Sequence, residues 1–162
     1  MKAAVVETNV LVVANEKSEQ AGPECILACV KALEEIKQKR ITLLDSGMLI
    51  FSEYKRYAKF AGHPGLGDSF FKWLWTNQAN PKHCLIVDIT PSTEAPDDFE
   101  EFPNDPSLSS FDRSDRKFVA VALASGRKSH IVNAADTDWW HHKEALMKHG
   151  VTVEFLCPDL MR

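Results

Sequence analysis

The stretch "VVETNVLVVAN", residues 5–15, places a carboxylate between two apolar runs and follows it with Thr and Asn. Ala3–Val6 reads as a strand of small and β-branched residues that stops on Glu7. One strand ending on an acid says little. The fold and the chemistry turn on whether other strands also end on acids, because carboxylates from distant segments then share one edge of one sheet.

Outward from this stretch, apolar runs and helical stretches alternate. Pro23–Lys39 has Ile26, Leu27, Val30, Leu33 and Ile36 at helical spacing, and Ile41–Leu44 is a second strand. Gly47–Ala61 and Asp68–Asn77 read as helices around the turn "GHPGLG". Leu85–Ile89 is a third strand, leading into a Pro- and acid-rich loop at about 90–111. Asp115–Ser125 is a helix, Ile131–Ala134 a strand, Trp139–His149 a helix closed by Gly150, and Val151–Phe155 a last strand. This alternation specifies one α/β domain over residues 1–162, with a mainly parallel sheet of about five strands and no internal repeat. The loop is long for a compact domain, which suggests a lid or a mobile segment.

The 19 basic and 23 acidic residues give a formal charge of −4, so no global positive field advertises a polyanion partner. Such a partner must be held by a local patch or by metal ions. Glu7 and Glu16 interrupt the apolar core that a signal peptide needs, and no apolar run approaches the ~20 residues of a membrane span. The expectation is a soluble, cytoplasmic protein with no membrane association. Its cysteines (Cys25, Cys29, Cys84 and Cys157) are then expected as buried free thiols in a reducing compartment. A zinc site from His83, Cys84 and the helical pair lacks the paired CxxC spacing.

The acids fall where a parallel α/β sheet collects function, beyond the carboxyl ends of its strands. Glu7 follows the first strand, Asp45 ends the second, and Asp136 and Asp138 follow the fourth in "IVNAADTDWW". A helical wheel sets Glu53 on the flank of the stripe Ile50, Tyr54, Tyr57, Ala58 and Ala61, with Lys55, Arg56 and Lys59 opposite. In "FDRSDRKFVAVALAS", Asp115 shares a side with Phe118, Ala122 and Ser125, while Arg116 and Lys117 point elsewhere. Each acid has a structural alternative. Asp115 suits the positive end of its helix with Ser114 or Asp112 as cap, Asp138 suits a cap, Asp45 a turn or cap, and Asp88 a satisfied buried acid. Glu53 could be a rim residue paired with a lysine.

Together, Glu7, Glu53, Asp115, Asp136 and Asp138 can gather at one sheet edge. Such a cluster repels itself unless a cation sits inside it, and hard oxygen ligands select Mg²⁺ or Mn²⁺. The chemistry those ions support with phosphate is phosphodiester hydrolysis. Arg113, Arg116 and Lys117 flank Asp115 as candidate phosphate contacts, whereas Lys55 and Lys59 read as solvated charges. The aromatics of "SFFKWLW" follow packing periodicity, "WWHHK" reads as surface, and Trp139 as packing behind the acids. A haloacid-dehalogenase-type site and a receiver-type site both fail on the position of their acids.

These motifs resemble a known family. "VVETNVLVVAN" resembles the opening motif of PIN-domain nucleases, where a strand ends in Asp followed by Thr or Ser and then Asn or Ser. "IFSEYKRYAKF" is similar to their middle motif, "FDRSDRKFVAVALASG" to the third, and "IVNAADTDWW" to the closing one, in order from about residue 3 to 157. The resemblance implies a three-layer α/β/α sandwich and a metal-dependent endoribonuclease acting on single-stranded RNA, with Mg²⁺ or Mn²⁺ as cofactor. It assigns Glu7, Glu53, Asp115 and Asp136 to the acidic cluster, Asp138 as an additional acid and Asn9 as an orienting residue. Many relatives are toxins restrained by an antitoxin, often as dimers, which makes a regulatory protein and a second copy the expected partners.

One position departs from the pattern. Glu7 stands where the family has Asp, one methylene longer, and Mg²⁺ tolerates little departure from octahedral geometry. A site adapted to Glu, a weakened relative and an introduced exchange all stay open. The alternative to a nuclease is therefore a PIN-like module that binds RNA or a partner protein without efficient catalysis.

Overall fold

The computed structural model describes residues 2–59 and 62–161. Five strands, β1 (Lys2–Val6), β2 (Arg40–Asp45), β3 (Cys84–Val87), β4 (Ser129–Asn133) and β5 (Thr152–Phe155), form one sheet in the order β3-β2-β1-β4-β5. Every pairing is parallel, with Ala3 set between Ile41 and Ser129. The central strand explains itself: Ala3–Val6 is buried at every position, as a strand covered on both faces must be. β3 lies at an edge with Ile86 exposed, and Asp88, expected as a buried acid, is exposed just past its end.

Among the described residues six α-helices complete the fold: α1 (Thr8–Ala14), α2 (Pro23–Lys39), α3 (Leu49–Tyr57), α4 (Leu66–Asn77), α5 (Arg116–Ala124) and α6 (Thr137–Lys148). The chain steps outward from β1 to β2 and β3, then returns across the sheet to β4 and β5. Right-handed crossovers therefore put α1–α4 on one face and α5–α6 on the other, a three-layer α/β/α sandwich. α5 lies on β1, β2 and β4, and its residues from Phe118 to Ala122 are all buried.

Several expectations need correction. α1 was not visible in the sequence: Val10, Leu11, Val13 and Ala14 are all buried, so no polar face marks a helix. α3 is shorter than Gly47–Ala61, and Tyr57 is 56% exposed, so it does not belong to the buried stripe. Ala61, the last member of that stripe, lies outside the described residues. Asp45, by contrast, is the cap that the sequence suggests, accepting from the backbone N–H of Leu49 (2.8 Å) and Ile50 (2.9 Å).

The 90–111 segment is held in place. Phe99, Phe102, Leu108 and Phe111 are buried, and Phe111 meets Trp139 edge to face at 4.9 Å. Arg116 pairs with Asp98 at 3.1 Å, donates to the carbonyls of Ser109 and Phe111, and lies over the Phe102 ring. His149 Nε2 lies 2.8 Å from Asp105 Oδ2, tying α6 to the same segment. Asp105 is held well below the usual carboxylate range, first by that bond and then by Ser107.

Cys25 and Cys157 are joined in a disulfide across 132 residues, not free as expected; Cys29 and Cys84 are the buried free thiols. Topology brings the pair together. α2 ends directly on the start of β2 and spans about 25 Å, so its first turn lies at the carboxyl edge of the sheet. Cys157 follows β5 at that same edge. In the chain-entropy argument, closing so long a loop contributes on the order of 5 kcal/mol.

In the helical layer α1 packs closely against the start of α4. Asn15 and Asp68 exchange hydrogen bonds (Asn15 Nδ2 to Asp68 Oδ1, 3.0 Å; Asp68 N–H to Asn15 Oδ1, 2.9 Å). Asp68 also accepts from the backbone of Lys59 and Gly65. A Cβ on Gly67 would lie 2.1 Å from the Leu11 carbonyl oxygen, so only glycine fits. Gly67→Ala is therefore expected to lower stability by about 1–3 kcal/mol or more in urea unfolding. The exposed neighbour Leu66→Ala should stay within about 0.5 kcal/mol.

Candidate functional site

The strand order reverses between β1 and β4, and the loops leaving them diverge to opposite faces. In open parallel sheets the crevice at this point is where ligands bind. The two loops are laced together here. Glu7 N–H donates to the Val132 carbonyl (3.0 Å). Asn9 Oδ1 accepts from the Ala134 N–H (3.0 Å), and its Nδ2 donates to Asn133 Oδ1 (3.3 Å). Asn133 Oδ1 also accepts from the Asp136 N–H at 2.9 Å, while Asn133 Nδ2 is buried with no acceptor among the described residues.

Acids from four segments converge on this crevice. Glu7 is 4% exposed and caps α1 by accepting from the Asn9 N–H at 3.1 Å. Asp136 caps α6 through the Asp138 N–H at 2.9 Å. Asp138 Oδ2 accepts from the Asp112 N–H at 2.9 Å, and its Oδ1 lies 3.3 Å from His142 Nδ1. Asp115 is 6% exposed at the end of a 3-10 turn (Arg113–Asp115), and among the described residues its carboxylate accepts no hydrogen bond. Glu53 on α3 accepts from the Thr8 hydroxyl and pairs with Lys117 Nζ at 2.7 Å. The Tyr54 hydroxyl donates to the Val6 carbonyl and pins α3 to the end of β1.

The electrostatics follow from this crowding. Burial, then Asp115, Glu53 and Asp136, push the Glu7 carboxyl well above the usual range. Burial and the charges of Asp136, Asp112 and Glu53 raise Asp115 to about 7, against a smaller opposing effect of Lys117. Asp136 is raised chiefly by burial. Lys117 is the amine beside Glu53 and Asp115, also donating to the Ser114 carbonyl.

The structure thus brings Glu7, Glu53, Asp115, Asp136 and Asp138 to one edge, with Asn9 bridging beneath them. It does not bring the two arginines there. Arg113 is exposed and pairs with Asp97 at 3.1 Å, and Arg116 is committed to the 90–111 segment. Sequence reasoning missed Thr8 and His142, took Lys117 for a phosphate contact where it pairs with Glu53, and took Asp112 for a cap without its contact to Asp138. The wheel turned Lys117 away from Asp115, but a wheel does not extend through the 3-10 turn that carries Asp115 into α5 at Arg116. The spacing of two acids in "FDRSD" was the signal that could have found Asp112.

The donor set has the right chemistry for a hard cation: carboxylate oxygens, buried at Glu7 and Asp115 and half-buried at the other three, that repel one another. Its spacing is wider than one coordination shell. Among the described residues the one trio of donor atoms within 4.8 Å of one another is Cys25, Cys29 and Cys157, so ligation of one ion by three of the acids requires side-chain rotation. Comparison of the chain with family models, with curated proteins and with solved structures returns no match.

A raised carboxyl keeps its proton longer in the folded state than in the unfolded one. For Asp115 that contribution is full below the unfolded pKa of about 3.9 and is lost as pH rises to about 7. Between about pH 5 and 8 in chelator, the parent should therefore lose stability relative to Asp115→Asn, the gap levelling off above about 7. Thermal unfolding of both proteins across that range measures it, and parallel curves would exclude an uncompensated buried acid.

Proposed function

We propose that the chain is a divalent-metal-dependent phosphodiesterase that cleaves single-stranded RNA, with its active site at the acid cluster. One observation carries this reading. Carboxylates from Glu7, Glu53, Asp115, Asp136 and Asp138 share the crevice at the topological switch point, with Lys117 as the amine beside Glu53 and Asp115. The substrate class comes from the motif resemblance, and the single-domain α/β/α frame is compatible with it.

Glu7, Asp115, Asp136 and Asp138 are the residues to hold Mg²⁺ or Mn²⁺. Bound there, the ion supplies charge neutralisation at a phosphate and a ligated water of lowered pKa. The chain's own residues supply position. Asn9 fixes the β1 and β4 loops relative to each other, so Glu7 and Asp136 keep their separation. Thr8 and Lys117 hold Glu53 at the rim of the cluster. Asp112 and His142 orient Asp138.

The Lys117–Glu53 pair favours a second reading. An internal cation already meets one acid, and Glu7 is longer than the Asp of the resembling motif, so the module could bind RNA without turning it over. Labelled single-stranded RNA incubated with Mn²⁺ or with EDTA separates the two. The nuclease reading expects metal-dependent cleavage by the parent, and a loss of about 100-fold or more in Asp115→Asn. Cleavage by Glu7→Asp alone would identify Glu7 as the block. If neither protein cuts a varied RNA pool, the binding module replaces the nuclease.

A further inference from the structure

At the same sheet edge three sulfurs meet. Cys25 and Cys29 lie one turn apart on α2, and Cys157 follows β5. Their sulfur atoms all lie within 4.8 Å of one another, and all three residues are buried. The Cα atoms of Cys25 and Cys157 are 5.4 Å apart. A cavity of about 510 Å³, bordered by Pro23, Glu24, Leu156 and Asp159, opens onto Cys25 and Cys157.

We propose that Cys25, Cys29 and Cys157 form a three-thiolate site for a soft divalent cation of the Zn²⁺ type, which the Cys25–Cys157 disulfide closes and reduction opens. Tetrahedral zinc with Zn–S near 2.3 Å sets its sulfurs about 3.8 Å apart, inside the spread seen here. Thiolates select zinc-like ions over the hard cations suited to carboxylates, so this site and the acid cluster take different metals. Cys25 lies in the first turn of a long helix, where the positive end of the dipole favours thiolate. Burial raises the Cys29 thiol to about 12, so without metal it stays neutral and adds no buried charge. The open cavity leaves the fourth position to water or to the exposed carboxylates of Glu24 or Asp159. Cys84 begins β3 at the opposite end of the sheet and takes no part.

The chemistry balances with a dithiol reductant. The bond between the Cys25 and Cys157 sulfurs accepts two electrons and two protons as the reductant closes its own disulfide. The cation then replaces the three thiol protons, which pass to solvent. Oxidation by a disulfide reverses the first step and expels the ion.

The test uses the full chain, oxidised or reduced by a phosphine under anaerobic conditions and freed of reductant, titrated with Co²⁺ as the spectroscopic stand-in for Zn²⁺. The reduced chain should bind one equivalent with a thiolate-to-cobalt charge-transfer band that Zn²⁺ abolishes, and the oxidised chain should show none. Cys29→Ser, which leaves the disulfide pair intact, should weaken binding about tenfold or more, whereas Cys84→Ser should match the parent. The proposal falls if the reduced chain shows no band, folded or not by circular dichroism, if the oxidised chain shows the same band, or if Cys29→Ser binds unchanged. Carboxylate ligation produces no thiolate band, so this result is independent of nuclease activity.

Discussion

Glu7 and Asp115 are buried close to one another beyond the end of β1, and the structure around them limits how that cost can be relieved. Burial disfavours each charge and proximity adds repulsion. In a looser frame the acids would swing into water. Here the β1 and β4 loops are laced by Asn9, α3 is pinned to β1 by Tyr54, and α5 is docked on three strands. Relief is then available through protonation or through a cation. Lys117 provides a partial answer at Glu53, one side of the cluster, and leaves Glu7 and Asp115 with raised carboxyls. A fixed frame around uncompensated like charges is the arrangement that perturbed titration at functional sites requires.

The strands and their acidic ends were legible because each strand is a short β-branched run, and a parallel sheet puts all strand ends on one side. The bounds of α2 were legible to the residue, since apolar residues recur at helical spacing and Pro23 marks its start. Its buried side was not: Leu27 is exposed, and the side that packs is Cys25, Cys29, Leu33 and Ile36. α1 was not legible, because a helix enclosed by α2, α3 and α4 has no polar face to reveal its period. The acids were found without their partners for a related reason. Glu7, Asp136 and Asp138 are placed by strand ends, which sequence shows, whereas Lys117 reaches Glu53 across 64 residues and past a break in helical geometry.

Features built from remote pairs lay beyond sequence reasoning. Arg116 was read as a phosphate contact because it adjoins Asp115. In the fold its guanidinium meets Asp98, two carbonyls and the Phe102 ring, which turns a loop rich in Pro and acids into an ordered part of the core. The apolar residues of that loop, spaced irregularly, gave no periodic signal although Phe99, Phe102, Leu108 and Phe111 are all buried. Likewise Cys25 and Cys157 are distant in sequence and adjacent only because α2 begins, and β5 ends, at one edge.

Glu7 shows why the substitution of one acid for another matters at this position. It ends β1 with extended backbone and turns its carboxylate back to cap α1, a task for which Asp is the better residue and Glu unusual. The extra methylene lets the carboxylate cap α1 while approaching Asp115, and that approach is the largest charge effect on it. An Asp would satisfy the same N–H from nearer the backbone, easing the repulsion and leaving more room between the acids. The residue that breaks the local capping preference is thus the one that tightens the cluster. Local rules fail most informatively where the fold serves something beyond its own stability.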